Sequence, residues 1–253
     1  MSTSLQSTSP SGAIRRLWPV ESEELSDADI VASLRSDGPV LRVNFVSSVD
    51  GAVTHDGRSG GLSDDADKRH FELLRRVCDV VLVGAGTVRD EGYGAMRVSV
   101  ESARWRVANG LPEHPVFAIV TGSLNLDPGS DIFTKAPVRP IVFTTSRGAV
   151  RAAEFEASAD VVVAGSELVH GPAIVSALRE RGLGNILCEG GPHLFGSLLA
   201  DAAVDELFLT VSPTLEAGGA ARITAGVLPA SVRLTLASVL SSGSTLLLRY
   251  RLP

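Results

Sequence analysis

Cysteine is nearly missing from this chain, and the two that occur, Cys78 and Cys188, each lie inside an apolar segment. Neither belongs to a CxxC or another spaced pair, so zinc and redox-dithiol frameworks are set aside and buried, reduced thiols are expected. No run of about 18 apolar residues occurs, and the amino terminus lacks a basic segment followed by an apolar one. Neither a membrane span nor a secretory signal is therefore expected, and the expected location is the cytoplasm. Excess positive charge is also lacking: 23 Lys and Arg stand against 29 Asp and Glu, a formal charge of −6. A nucleic-acid partner, which needs a basic face, is not expected. The sequence has no GxxxxGK[ST] phosphate loop, no GxSxG elbow and no HExxH pair. Its five histidines, His55, His70, His114, His170 and His193, are scattered, so no metal is expected.

What is present is a globular composition, 44% apolar and 21% charged over 253 residues, enough for a full core in one large α/β domain. Residues Met1 to Gly12 are mostly Ser, Thr, Gln and Pro and offer little apolar surface against the entropy of ordering. A flexible tail over 1–20 and a single domain over 21–253 are expected. From Pro39 onward, short β-branched runs recur at Val40–Val46, Val80–Val83, Val116–Val120, Ile141–Phe143, Val161–Ala164 and Ile186–Cys188, most reading as strands buried on both faces. Between them, Asp64–Cys78 carries Phe71, Leu74, Val77 and Cys78 at helical spacing, with Ser63 as the expected N-cap. Further helices are expected over His170–Arg181 and from Pro192 to about Ala200. Glu206–Val211, Val232–Leu240 and Thr245–Arg251 read as strands without intervening helices. The sum is an α/β fold with a mostly parallel sheet covered on both faces and an antiparallel hairpin at the end.

In a parallel sheet, ligands settle outside the carboxyl ends of the strands, and three glycine-marked turns fall there. Ser47-Ser48-Val49-Asp50-Gly51 follows the first buried strand, and on its residues alone a simple turn is an equal reading. Gly84-Ala85-Gly86-Thr87-Val88 would let a dinucleotide approach the backbone, although a close helix–strand crossing would also need small residues. Glu189-Gly190-Gly191-Pro192-His193 ends a buried strand and opens a helix whose free amides can receive phosphate. An acidic residue at a buried strand's end would have no obvious purpose in a mere connection.

Taken in order, VNFVSSVDGAVT, LLRRVCDVVLVGAGTVRDEGYGAMR, ILCEGGPHLFGSLL and DELFLTVSPTLEAGG resemble the bacterial deaminase-reductase carboxyl-terminal domain family, over Val40 to Pro253. The resemblance implies a dihydrofolate-reductase-like fold, NADPH as cofactor and a homodimer. It also implies reduction of the ribose of a 5-amino-6-(5-phosphoribosylamino)uracil-like substrate during riboflavin synthesis. It places Thr87 and Glu91 at the nicotinamide end, with Val46 in the cofactor set, Gly122 and Ser123 along the cofactor, and Gly190, Gly191, Pro192 and His193 around its phosphates. Asp90 is an alternative to Glu91, because RDEGYGAMR is shorter than the family's segment. Thr145, Ser146 and Arg147 follow a strand and could grip a 2′-phosphate, with a solvated arginine as the equal reading. On the substrate side the resemblance implies Asn44, Ser47, Ser59, Arg75, Arg97 and Glu189. Where the family commonly shows Ser-Lys-Trp-Ile-Thr this chain reads Ser59-Gly60-Gly61-Leu62-Ser63, so a positive charge and an aromatic wall are missing and a wider pocket is expected. No zinc-deaminase HxE and CxxC set precedes these segments, so deamination is expected of a separate protein.

Hydride transfer also requires a proton for the neighbouring heteroatom. Glu91 is the expected acid, with Asp90 and Asp50 in reserve, since burial beside a nicotinamide would raise a carboxyl pKa. Two rivals stand beside the pyrimidine reading: a dihydrofolate or pterin reductase, and an NADPH-binding module without catalysis.

Overall fold

The computed structural model describes residues 12–253. In chain order the elements are β1 (Arg15–Trp18), α1 (Asp27–Leu34), β2 (Val40–Ser48), α2 (Asp65–Val77), β3 (Val80–Gly84), α3 (Ala85–Glu91), α4 (Val100–Ala108), β4 (Val116–Val120) and α5 (Asp131–Thr134). They continue with β5 (Ile141–Thr144), β6 (Asp160–Val163), α6 (Gly171–Arg179), β7 (Asn185–Cys188), α7 (Pro192–Ala200), β8 (Glu206–Ser212), β9 (Thr235–Ser242) and β10 (Thr245–Arg251). All ten strands join one sheet in the order β1-β9-β10-β8-β2-β7-β3-β4-β5-β6. From β8 to β6 every pairing is parallel, whereas β10 runs antiparallel to β8, β9 to β10 and β1 to β9. The expected parallel sheet with an antiparallel end is what the chain forms.

Side-chain alternation along the strands divides the core into two layers. Val81 and Val83 of β3 join Leu73 and Leu74 of α2 and Ile30 and Leu34 of α1 on one face. Val80 and Leu82 join Ile174 and Leu178 of α6 and Phe195 and Leu198 of α7 on the other. Val80, Val81, Leu82 and Val83 are all fully buried, which is why that stretch is apolar without alternation. Truncating Leu82 to alanine at the centre would cost about 2–5 kcal/mol.

Several expected boundaries shift. The tail does not extend to residue 20: Ile14 is fully buried and Arg15–Trp18 is the edge strand paired with β9. The rest of the expected tail, residues 1–11, lies outside the described residues. The N-cap of α2 is Asp64, whose Oδ1 accepts from the Asp67 amide at 2.9 Å, and not Ser63, whose hydroxyl donates instead to Asp67 Oδ2 at 2.5 Å. β9 begins at Thr235, after an irregular stretch that includes Val232. Phe71 is only half-buried, because α2 turns that side chain toward a cleft rather than the core. No described helix is long and apolar enough to cross a membrane.

Candidate active site

The carboxyl ends of β2, β3, β4 and β7 open into one cleft with three lobes. A lobe of about 680 Å³ lies between the start of α3, the Thr121–Ser123 turn and the start of α7. Next to it is a lobe of about 450 Å³, lined from β2, α2, α3 and the Glu189–Pro192 turn, and the two share Thr87, Asp90, Gly191 and Pro192 as lining. A third lobe of about 360 Å³ carries Arg75 and Arg97 and shares Ser59, Gly60, Phe71, Glu91 and Tyr93 with the second.

The first lobe is built from backbone. Gly190 has φ +97°, and its carbonyl accepts from the Gly84 amide at 2.8 Å. A Cβ on Gly191 would collide with Thr87 Oγ1, so a side chain there would force Thr87 to turn or the α3 and α7 starts to move apart. Pro192 then opens α7 with a residue that has no amide to leave unpaired. Gly122, Ser123 and His193 complete the walls, while Gly190 itself is buried behind them.

The second and third lobes are built from side chains. Glu189, 7% exposed, receives a bidentate pair from Arg75, Nε to Oε1 and Nη2 to Oε2, both at 2.6 Å. Tyr93 donates its hydroxyl to Glu189 Oε2 at 2.8 Å, and the Arg75 guanidinium lies 4.3 Å from the Phe71 ring centre. Burial alone would lower the Arg75 pKa, but the Glu189 charge and hydrogen bonds outweigh it and hold the cation above its ordinary value. Burial first, and the Glu189 charge second, push the Tyr93 phenol well up, so it stays a donor. Arg106 from α4 fixes the end of α2 beneath this pair, its Nη1 donating to the carbonyls of Arg75, Arg76 and Cys78 at 3.1, 3.2 and 2.6 Å.

Among the candidate acids, Glu91 accepts from the Ser59 amide at 3.0 Å and lines the second and third lobes, while Asp90 is exposed and lines the first and second. Asp50 must be withdrawn. It lines none of the three lobes and is the acceptor for the Ser48 hydroxyl at 2.5 Å and for the Ala217 and Glu216 amides at 2.7 and 3.2 Å. Those bonds hold its pKa at about 2, so it has no proton to give near neutrality. Asn44, Val46, Ser59 and Glu189 line the second lobe and Arg75 and Arg97 the third, but Ser47 is buried within β2 and lines none.

Of the two readings of the turn after β5, the structure matches the solvated arginine, since Thr145, Ser146 and Arg147 line none of the three lobes. Thr145 is buried and ties two turns together, its hydroxyl donating to the Gly122 carbonyl at 2.7 Å and accepting from the Gly148 amide at 3.1 Å. Ser146 and Arg147 are exposed and off the cleft wall, and Arg147 faces Glu167 at 3.4 Å.

Sequence reasoning missed Asp67, Lys68 and Tyr93. Asp67 lines the second lobe from the first turn of α2, 7% exposed, with Oδ2 accepting from Ser63 and Oδ1 from the Thr210 hydroxyl of β8 at 2.6 Å. Burial raises its pKa, against the two hydrogen bonds that lower it. An acid in a helix's first turn is ordinary, so nothing in the sequence marked it. Tyr93 stands in the RDEGYGAMR segment two residues after Glu91, which was the available signal. Among the described residues no group of three His, Cys, Asp or Glu stands together as a metal site.

A doubly covered, mostly parallel sheet with a lobed cleft at its carboxyl end and an antiparallel closing hairpin defines a dihydrofolate-reductase-like α/β protein. More narrowly, the chain belongs to the RibD C-terminal domain family, whose model matches residues 39–248. It is 28% identical over 184 residues to the 2,5-diamino-6-ribosylamino-4(3H)-pyrimidinone 5′-phosphate reductase of Methanothermobacter thermautotrophicus, covering 73% of this chain and 82% of that one. It is 25% identical to the riboflavin biosynthesis protein RibD of Bacillus amyloliquefaciens, spanning 73% of this chain and 48% of that longer protein. Among solved structures, a pyrimidine reductase-like protein of Corynebacterium diphtheriae superimposes with a TM-score of 0.80 at 25% identity, over 90% of this chain and 99% of the other.

Proposed function

We propose that this chain is an NADPH-dependent reductase that delivers hydride to C1′ of a ribosylaminopyrimidine phosphate. The observation that carries the reading is the continuous cleft, in which a backbone-built lobe meets a ring-sized lobe at Thr87 and Gly191, and that lobe meets an arginine-bearing one at Ser59 and Glu91. The names of the relatives agree with it.

The first lobe fits a nicotinamide dinucleotide. Gly191 leaves the approach to α7 clear beside Thr87, and the start of α7 offers unpaired amides and the positive end of a helix dipole to a pyrophosphate. Thr87, Gly122, Ser123, Gly191, Pro192 and His193 would hold the cofactor, with Val46 at the ring end. Arg89, exposed on the same wall, is the cation placed to favour a 2′-phosphate. When bound, NADPH supplies the hydride. Glu91, fixed by the Ser59 amide where the second and third lobes meet, gives the proton to the nitrogen of the ring-opened imine, directly or through one water. In the third lobe Arg75 is spent on Glu189, so Arg97 is the cation that meets the sugar phosphate, and Lys68 restores from α2 the charge absent at Gly60.

The working form is proposed to be a cytoplasmic homodimer. Exposed Leu17 and Trp18 on the edge strand and Leu234 and Leu236 beside it supply apolar surface for a second copy. Sedimentation of the purified protein checks this.

Loss of NADPH absorbance with 2,5-diamino-6-ribosylamino-4(3H)-pyrimidinone 5′-phosphate, with formation of the ribitylamino product, is the expected result. NADPH binding without turnover of this or the uracil analogue would sink the reading.

A further inference from the structure

The segment between β2 and α2 folds back on itself as a short hairpin. Asp56 and Gly57 both take positive φ, +49° and +79°, which is the geometry of a two-residue turn and suits an Asp-Gly pair. On either side of them the His55 amide donates to the Arg58 carbonyl at 3.0 Å and the Arg58 amide donates to the His55 carbonyl at 3.1 Å. This hairpin walls the second lobe with Thr54, Gly57 and Ser59, and it ends at the Ser59 amide that holds Glu91. Two side chains tie it to the loop that follows β8. At its base, Asp50 accepts from the Glu216 and Ala217 amides. At its tip, His55 Nδ1 meets Glu216 Oε2 at 2.7 Å, and the Glu216 side chain is only 17% exposed. Gly61 makes room for the imidazole, since a Cβ there would stand 2.9 Å from His55 Cβ and 3.1 Å from its Cδ2.

We propose that His55 is a positioning residue: with Glu216 it forms a releasable clasp that holds the hairpin down on the second lobe and keeps Glu91 aimed at the reacting atoms. The task given to Glu91 rests on the proposed reductase reading, whereas the clasp rests on the two loops alone. The tie at Asp50 is permanent near neutrality, because its carboxyl titrates at about 2. The tie at His55 is not. The charged groups that face the imidazole are both acids, Glu216 across the gap and Asp56 beside it, whose Oδ2 lies 3.7 Å from Nε2. The Glu216 hydrogen bond, then the Glu216 and Asp56 charges, raise the His55 pKa above its ordinary 6.5. The imidazolium bond is therefore whole below pH 6.5 and is lost as pH rises through the raised value.

Backbone hydrogen exchange of the full chain, followed by NMR and corrected for the intrinsic rate, reads the clasp without turnover. Its probes are the Val53 amide, which joins the hairpin to the Ala221 carbonyl, and the Ser59 amide, which joins it to Glu91. Their protection in wild-type protein should fall roughly 5-fold between about pH 6 and about pH 9, the scale of a partly exposed ion pair. In His55→Ala and in Glu216→Gln it should be low at both pH values, and the double variant should be no worse than either single one. Equal protection at both pH values in wild-type protein, or no loss in either variant, overturns the clasp. If a variant does not fold, the wild-type comparison decides by itself. In kinetics with the 2,5-diamino ribosylamine phosphate, His55→Ala should lower kcat/KM roughly 5-fold at pH 6 and remove the alkaline fall that His55 imposes. NADPH affinity should not change, because neither loop lines the first lobe. A pH profile of kcat/KM identical to wild type overturns the positioning role. Protection that falls as stated, in a protein that turns over no pyrimidine substrate, sinks the reductase reading and leaves the clasp standing.

Discussion

The two ends of the cleft are made of different material. The first lobe is walled by turns and helix starts, Gly84–Thr87, Thr121–Ser123 and Gly191–Leu194, and its titratable lining residues are not buried. The ring and arginine lobes are walled by side chains from separate elements, with Glu189 and Asp67 both 7% exposed. A backbone wall depends on where glycines allow close approach, so most side-chain changes there should be tolerated. A wall of buried charges depends on each partner, because removing one leaves the other unpaired in a poorly solvated place.

That contrast can be broken or sharpened by substitution. The largest effect is expected at Glu189→Ala, which strands Arg75 and should cost about 3–5 kcal/mol of stability in urea unfolding. A loss under about 1 kcal/mol would mean that the ring lobe is not held by its ion pair. The same side of the cleft should be the pH-sensitive one. His70 on α2 is buried against Phe208, and burial, then the Arg249 charge, lowers its pKa from 6.5 to about 4. The unfolded chain therefore takes up a proton below pH 6.5 that the folded chain refuses. Stability should be full above pH 6.5 and fall as pH drops toward 4, by on the order of 2–3 kcal/mol. His70→Gln should flatten that part of a stability profile.

Glu91→Gln should lower kcat on the order of 100-fold while leaving cofactor affinity nearly unchanged, measured by steady-state kinetics beside direct titration. In the backbone-built lobe, Gly191→Ala should weaken NADPH binding by roughly 10-fold, the new Cβ meeting Thr87. Thr87→Ala in the same chain removes the colliding oxygen and should recover part of the loss. Least of all, Arg147→Ala should change the NADPH-to-NADH preference by less than about 2-fold, since an exposed pair with Glu167 contributes little. A larger change would return Arg147 to the cofactor site.

The turns that wall the first lobe were the legible half. Its turns sit in single continuous segments, so glycines beside apolar strands already marked Gly84–Thr87 and Glu189–His193. The turn after β5 stayed open between two readings because residues that follow a strand can face a ligand or tie neighbouring turns, and the Thr145 hydroxyl goes to Gly122, 23 positions away. Asp50 looked like a site acid for the same reason, until the Glu216–Ala217 amides that claim it were folded against it.

Strand positions, helix positions and the two apolar layers follow from patterns a few residues long, because β-branched runs and 3.6-residue stripes bury themselves wherever they occur. The pairing of Asp67 with Thr210 spans 143 positions and that of Arg75 with Glu189 spans 114. No local pattern encodes such contacts. They exist only because β8 and β7 flank β2 in the sheet and α2 packs across them. Burial then makes ordinary acids depend on partners that the fold brings from distant parts of the chain.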